Sequence, residues 1–294
     1  MMKKSILVGL LSLSVLSAQS DVSVYGGGID YSSSIKDDGL FAGIYFQNTS
    51  EKNKFELNYE RTEISYDSST LIGDLEQNDF TAVWTHYLNN NYLFRVGGHY
   101  IDSNDKYTDE GYTAFAGVKY YQGYDFDMGF DAYYSDYKNY ILADGSKGLS
   151  IIQLEPSIGF SFGNYQSTFG SFYLKTFYTY INPDEGKNGL LRDDYHSGGL
   201  QLKQFIGKWT NEAGGWVGKQ VFGVRNGGFT VFNLAEERKG GFNLSSQYAF
   251  NKNTSIKLQY SYEKFDEASI NSSGLSVTTD ASTNVLSLLL NYSF

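Results

Sequence analysis

The sequence predicts an all-β chain, folded as a transmembrane, antiparallel, up-and-down β-barrel of about fourteen strands. Three observations predict it: hydrophobicity alternates with period two, connections alternate between short and long, and no apolar run after residue 20 is long enough for a spanning helix. In IIQLEPSIGFSF, Ile152, Leu154, Pro156, Ile158, Phe160 and Phe162 fall on one face. Gln153, Glu155, Ser157, Gly159 and Ser161 fall on the other. FDMGFDAYY, FELNYE, LQLKQF, GFNLSSQYAF and IKLQYSY repeat the scheme.

Taken in order, a strand over 21–32 is followed by the loop 33–39 and a strand over 40–48. The tight turn TSEKN then returns the chain along 54–66, and the loop 67–77 leads to 78–88. NNN turns it into 92–102; the acidic loop 103–110 precedes 111–120; QGY turns it into 125–137. The loop 138–148, the strand 149–162, the turn GNYQ and the strand 167–181 follow, then the loop 182–194 and the strand 195–206. GKWTN leads to 212–224, and the long segment 225–239 to 240–250. NKNT turns the chain into 255–265, and the loop 266–280 precedes the last strand, 281–294. Each run is long enough, or nearly so, to cross a bilayer at a tilt, and an even count returns both termini to the tight-turn side. Two places disturb the pattern. FTVFNL, inside 225–239, reads as an extra hairpin or a strand extension above the membrane, which leaves twelve or sixteen strands open. Pro156 inside a strand lacks a ladder donor and calls for a bulge or local irregularity.

The first twenty residues, MMKKSILVGLLSLSVLSAQS, combine two lysines, an apolar run too short to span a membrane, and small residues. This is the plan of a secretory signal, with cleavage expected after Ser20 or Ala18 and a single barrel domain over 21–294. The chain carries a formal charge of −10, which loss of Lys3 and Lys4 makes more negative, so a nucleic-acid partner is excluded as an expectation. With no cysteine there is no disulfide, thiolate metal site or lipid attachment through an N-terminal Cys. A secreted β-sandwich also alternates, but it does not require connections that alternate in length.

The final stretch, LSLLLNYSF, places Leu286, Leu288, Leu290, Tyr292 and Phe294 on one face, with Ser287, Leu289, Asn291 and Ser293 on the other. With the signal, the alternating strands and the short turns, this resembles bacterial outer-membrane β-barrel proteins. The resemblance implies an outer-membrane location, contact with outer-membrane lipid and lipopolysaccharide, and reading of Tyr292 and Phe294 by the barrel assembly machinery. The first strand begins at VSVYGGGIDY, within a few residues of the expected cleavage site, leaving no room for the plug of an energy-coupled receptor or the N-terminal hatch of fatty-acid transporters, and the architecture resembles a compact monomeric porin more than a trimeric one with a long constriction loop.

If apolar faces meet lipid, the lumen is lined by Glu56, Glu60, Asp127, Asp131, Glu155 and Glu263 against Arg95, Lys119, Lys175, Lys203, Lys219 and Lys257, with His99 beside Arg95. Acids on the seventh and eighth strands precede lysines on the ninth to eleventh, either as opposed patches that set up a transverse field or as locally paired salt bridges. The leading expectation is a passive channel for small hydrophilic solutes or ions, mildly cation-preferring because loop acids outnumber loop bases, with no cofactor. A structural or adhesive barrel with a blocked lumen is the second reading. A rim hydrolase built on Asp193, Asp194, His196 and Ser197 is the third, weakened because neighbouring strand residues point to opposite faces. Interior tyrosines such as Tyr121 and Tyr133 could stack on sugars, although many of the 26 tyrosines must serve the interfacial girdles.

Overall fold

The computed structural model describes residues 19–67, 73–123, 125–141, 147–184, 193–270 and 276–294. Residues 1–18, which hold most of the expected signal, and the centre of the loop 182–194 lie outside the described residues. The strands are β1 (Gln19–Ser32), β2 (Lys36–Thr49), β3 (Asn53–Tyr66), β4 (Leu75–Tyr87), β5 (Tyr92–Ser103), β6 (Tyr112–Gln122), β7 (Phe126–Ile141) and β8 (Lys147–Gly163). They continue as β9 (Ser171–Pro183), β10 (Tyr195–Ile206), β11 (Trp209–Gln220), the short pair β12 (Val224–Arg225) and β13 (Thr230–Val231), β14 (Glu237–Ala249), β15 (Thr254–Ile270) and β16 (Ser276–Ser293). All but β12 and β13 pair antiparallel with their chain neighbours into one closed barrel, which β1 and β16 seal. Fourteen strands form the wall, and β12 and β13 form a separate two-stranded sheet.

The alternation sets which face meets what. Leu286, Leu288, Leu290, Tyr292 and Phe294 are all exposed on the outside, while Ser23 and Asn291 hydrogen-bond on the inside at 2.8 Å. Tyr92, Trp209 and Tyr292 face outward beside the tight turns, as amphipathic rings at a membrane interface do. At the seam, the backbone N–H groups of Ser20 and Phe294 each donate to the other residue's carbonyl, at 3.2 and 2.9 Å, so the terminal residue is part of the ladder.

Pro156 requires no bulge. The register on both sides runs through unbroken, with Phe130 opposite Pro156, and only the pairing with β9 is interrupted between Leu154 and Ser157. The missing donor therefore costs one local gap rather than a shift.

The main departure from expectation is the segment 221–236. It neither adds strands to the wall nor extends above it. It folds into the lumen as a hairpin of β12 and β13 joined by a 3-10 turn, Asn226–Gly228. Val221, Phe222, Val224 and Val231 join one buried cluster with Val83, Ile101, Phe115, Tyr133, Tyr137, Leu149, Ile151, Ile181 and Tyr195, all on the inner wall of β4–β10. The expectation of a porin without a long constriction loop is thus corrected. The apolar residues of FTVFNL are satisfied by protein inside the barrel, not by lipid.

Candidate functional site: the lumen and its inserted hairpin

The inserted hairpin enters between two bulges, one in β11 between Val217 and Gln220 and one in β14 between Arg238 and Gly240. Gly218, at φ 116°, lets the chain leave the wall, because an L-residue rarely adopts that conformation. Against β8, the Gln153 side-chain amide donates to the Val224 carbonyl at 2.6 Å and accepts from the Val224 N–H at 2.8 Å. Phe222 packs on Tyr137 and Tyr140, ring centres 5.3 and 5.5 Å away. At the tip, Gly227 and Gly228 lie so close to Arg95 and Phe115 that a Cβ on either would fall 2.2 Å from a side-chain atom. Beyond the tip Phe229 meets Tyr45 on β2 edge-on, at 5.7 Å. The hairpin therefore reaches from one side of the lumen to the other.

Its base is held by charge. Arg225 and Arg238 both bond Glu263, Arg238 also reaches Glu236 at 2.9 Å, and Lys36 pairs with Glu236 and Glu267. Phe232 lies between the two guanidinium groups, 4.6 Å from that of Arg225 and 3.8 Å from that of Arg238. Arg225 also stacks on Trp216 at 4.3 Å. Buried charges endure when every carboxylate meets a cation, as here. On the far side, the Asn233 amide donates to Gln77 Oε1 at 2.7 Å and to Thr108 Oγ1 at 3.0 Å. Gln77 in turn donates to Asp79, and Asp79 meets His99 at 3.0 Å.

Nearly all the anticipated lumen residues face inward, but they pair locally. Arg95 Nε meets Asp131 at 2.9 Å, and its other nitrogens reach Tyr133 Oη at 3.1 Å and the Gly227 carbonyl at 3.2 Å. Lys119 pairs with Asp127 at 2.9 Å, Lys175 with Glu155 at 3.9 Å, and Lys54 with Glu56 at 3.0 Å. Lys203 pairs at 3.3 Å with Glu212, a carboxylate the sequence reading missed because an unbroken alternation that turns Lys219 inward turns Glu212 outward. Of the two arrangements expected, opposed patches or locally paired salt bridges, these residues adopt the second. Lys219 is a correction: the bulge puts Gln220 on the lumen side, bonded to Ser197 at 2.6 Å, and Lys219 turns the other way to pair with Glu237.

What pairing leaves over is uneven. Apart from Lys36, which is taken up by Glu236 and Glu267, the wall of β1–β4 carries Asp21, Glu56, Glu60 and Asp79 against Lys54, whereas β8–β15 carries Lys175, Lys203 and Lys257 in its lower half against Glu155 and Glu212. Of the residues missed, Lys36, Arg225, Glu236 and Arg238 sat in stretches read as loop; the Asn-Gly-Gly of 226–228 was the one local sign of a tight turn.

The rim cluster does not assemble. His196 faces outward between Tyr178 and Tyr180 with Asp194 at 3.5 Å, while Ser197 is buried inside. Thr81, His99 and Asp79 do form a hydroxyl–imidazole–carboxylate chain, with 2.8 and 3.0 Å contacts, but all three are buried and the Thr81 hydroxyl is not exposed as a nucleophile would be. Among the described residues no group of three or more His, Asp or Glu could hold a metal.

No protein family defined from sequence matches the chain, and no curated protein does. Solved structures do. The chain is similar to the Pseudomonas putida toluene transporter TodX, with 10% identity over 96% of this chain and 90% of that one and a TM-score of 0.55. The fold is that of an outer-membrane β-barrel. A monoaromatic hydrocarbon channel, CymD, aligns with 10% identity over 94% and 88% of the two chains, TM-score 0.56. A Pseudomonas aeruginosa FadL homologue aligns with 12% identity over 94% and 89%, TM-score 0.52. At such identities the likeness is one of fold alone.

Proposed function

We propose that the chain is an outer-membrane channel for passive diffusion of small hydrophilic solutes or ions, mildly cation-preferring, whose lumen is spanned by its own hairpin 221–236. The observation that carries this reading is the inward face. In the half below the hairpin it holds paired charges, amides and hydroxyls, such as Lys119–Asp127, Lys203–Glu212 and Gln47–Asp21, which need water as well as each other. Fourteen strands enclose more room than the eight that side chains alone can fill. The acidic β1–β4 wall and the acidic rim favour cations, and chemistry by the barrel forms no part of the reading.

A second reading has its own support. The inner wall of β4–β10 above the tip is apolar, with Ile101, Leu149, Ile151 and Ile181 facing the hairpin. A hairpin that leaves it exposes a surface suited to apolar solutes, the substrates named for the toluene and hydrocarbon channels of like fold. Proteoliposome flux separates the two: uptake of small sugars and cations without uptake of toluene supports the first reading, and the reverse supports the second.

A further inference from the structure

The hairpin is held on its two sides by different kinds of contact. Toward β7–β10 the contact is apolar and continuous: Val221, Phe222 and Val224 are at most 2% exposed. Toward β2–β5 the contact is mixed: Phe229 meets Tyr45 and Val231 touches the cluster of Val83 and Ile101, but the strap itself is held by polar groups. There the strap Asn233–Glu236 crosses the mouth of the barrel on the Asn233 bonds to Gln77 and Thr108 and on the Glu236 pair with Lys36. The tip adds one bond from Arg95, at 3.2 Å the longest of the three that this side chain makes. The Asn233 bonds can be exchanged for water at little net cost, and on release Lys36 keeps Glu267 while Glu236 keeps Arg238, whereas exposing apolar surface is opposed throughout its area. Separation therefore begins on the β2–β5 side. The two bulges and Gly218 supply irregular backbone at the stem.

We propose that the strap Asn233–Glu236 is the releasable half of a gate, shown closed, and that release opens a path along the acidic β1–β4 wall while residues 221–224 stay on β7–β10. This rests on the channel reading and deepens it. The opened path is lined by Glu56, Glu60 and Asp79, so the open state passes cations in preference to anions. The wild-type protein spends most of its time closed and opens in brief events.

The absence of cysteine makes the test direct. Purified Gln77→Cys/Asn233→Cys protein is compared in planar bilayers with Tyr137→Cys/Phe222→Cys, which ties the apolar half, each oxidised and then reduced, with gel mobility reporting the cross-link. Oxidation should remove at least roughly nine-tenths of the open time from the first variant, reversibly, and leave the second unchanged. Glu236→Gln, which weakens the strap without cross-linking, should raise open time about tenfold. Equal currents from the oxidised and reduced first variant, failure of that cross-link to form in folded protein, or no change in Glu236→Gln would overturn the gate and leave the channel reading standing. Silence of the wild type, the reduced variants and Glu236→Gln alike would overturn both.

Discussion

Arg95 was legible as a lumen residue from alternation alone, but its task was not. It binds Asp131 and Tyr133 on β7 and the Gly227 carbonyl of a segment 132 residues away, a contact that period-two reading cannot foresee. The same holds for Lys36, which sits in the middle of a stretch read as a polar loop yet is buried between Glu236 and Glu267. Replacing Lys36 with Met leaves Glu267 buried without a cation and Glu236 with Arg238 alone, and should cost about 3 to 5 kcal/mol, read as a lower urea midpoint for unfolding from lipid vesicles. At Gly228, φ is 96° and a Cβ would strike Phe115. Gly228→Ala should therefore unseat the tip at a cost of about 1 to 3 kcal/mol, seen as faster proteolysis of the hairpin in folded protein. Burial opposes ionisation of Glu236, but the charges of Lys36 and Arg238 outweigh it and hold the carboxyl below the usual carboxylate range. A depressed folded-state value means that its contribution is complete at neutral pH and is lost as pH falls below that range. Hairpin protection from protease should accordingly persist down to the ordinary carboxylate range and fall in stronger acid.

The strands were the most legible elements, because a wall with lipid on one side and water on the other writes its period directly into the residues. Fourteen strands were expected and fourteen form the wall, most within a few residues of the expected ends. The segment 225–239 failed for a physical reason: FTVFNL carries an apolar signal, but alternation does not say whether lipid or the inside of the same barrel will cover it. The closing strand shows the opposite case, since both faces of LSLLLNYSF follow the sequence. Ser20 pairs with Phe294, so cleavage after Ala18 keeps that rung and cleavage after Ser20 removes it. Mass spectrometry of the mature protein should find Gln19 at its N-terminus; Asp21 would show that the rung is dispensable. Deleting Phe294 should lower the heat-modifiable folded fraction in membranes while the conductance of folded molecules stays the same.

At the scale of the whole molecule, barrel class and closure were readable, and the state of the lumen was not, because it depends on one hairpin's tertiary contacts. Two consequences concern the barrel as a unit. Cysteines placed at Asp109, on a long loop, and at Asn253, in the tight turn NKNT, should differ in labelling by an impermeant reagent on intact cells, with Asp109 labelled. Reversal potentials in asymmetric KCl should show mild cation preference that fades as salt rises, since fields from exposed acids are screened over about 8 to 10 Å near physiological strength. On the proposed function this barrel is a channel closed by its own hairpin. Single-channel recording of the wild type beside a variant in which residues 224–231 are replaced by a short Gly/Ser linker tests it most directly. The wild type should show rare, brief openings and the variant a large, steady conductance; equal conductance from the two, or none from a variant shown to be folded, would rule out closure by the hairpin.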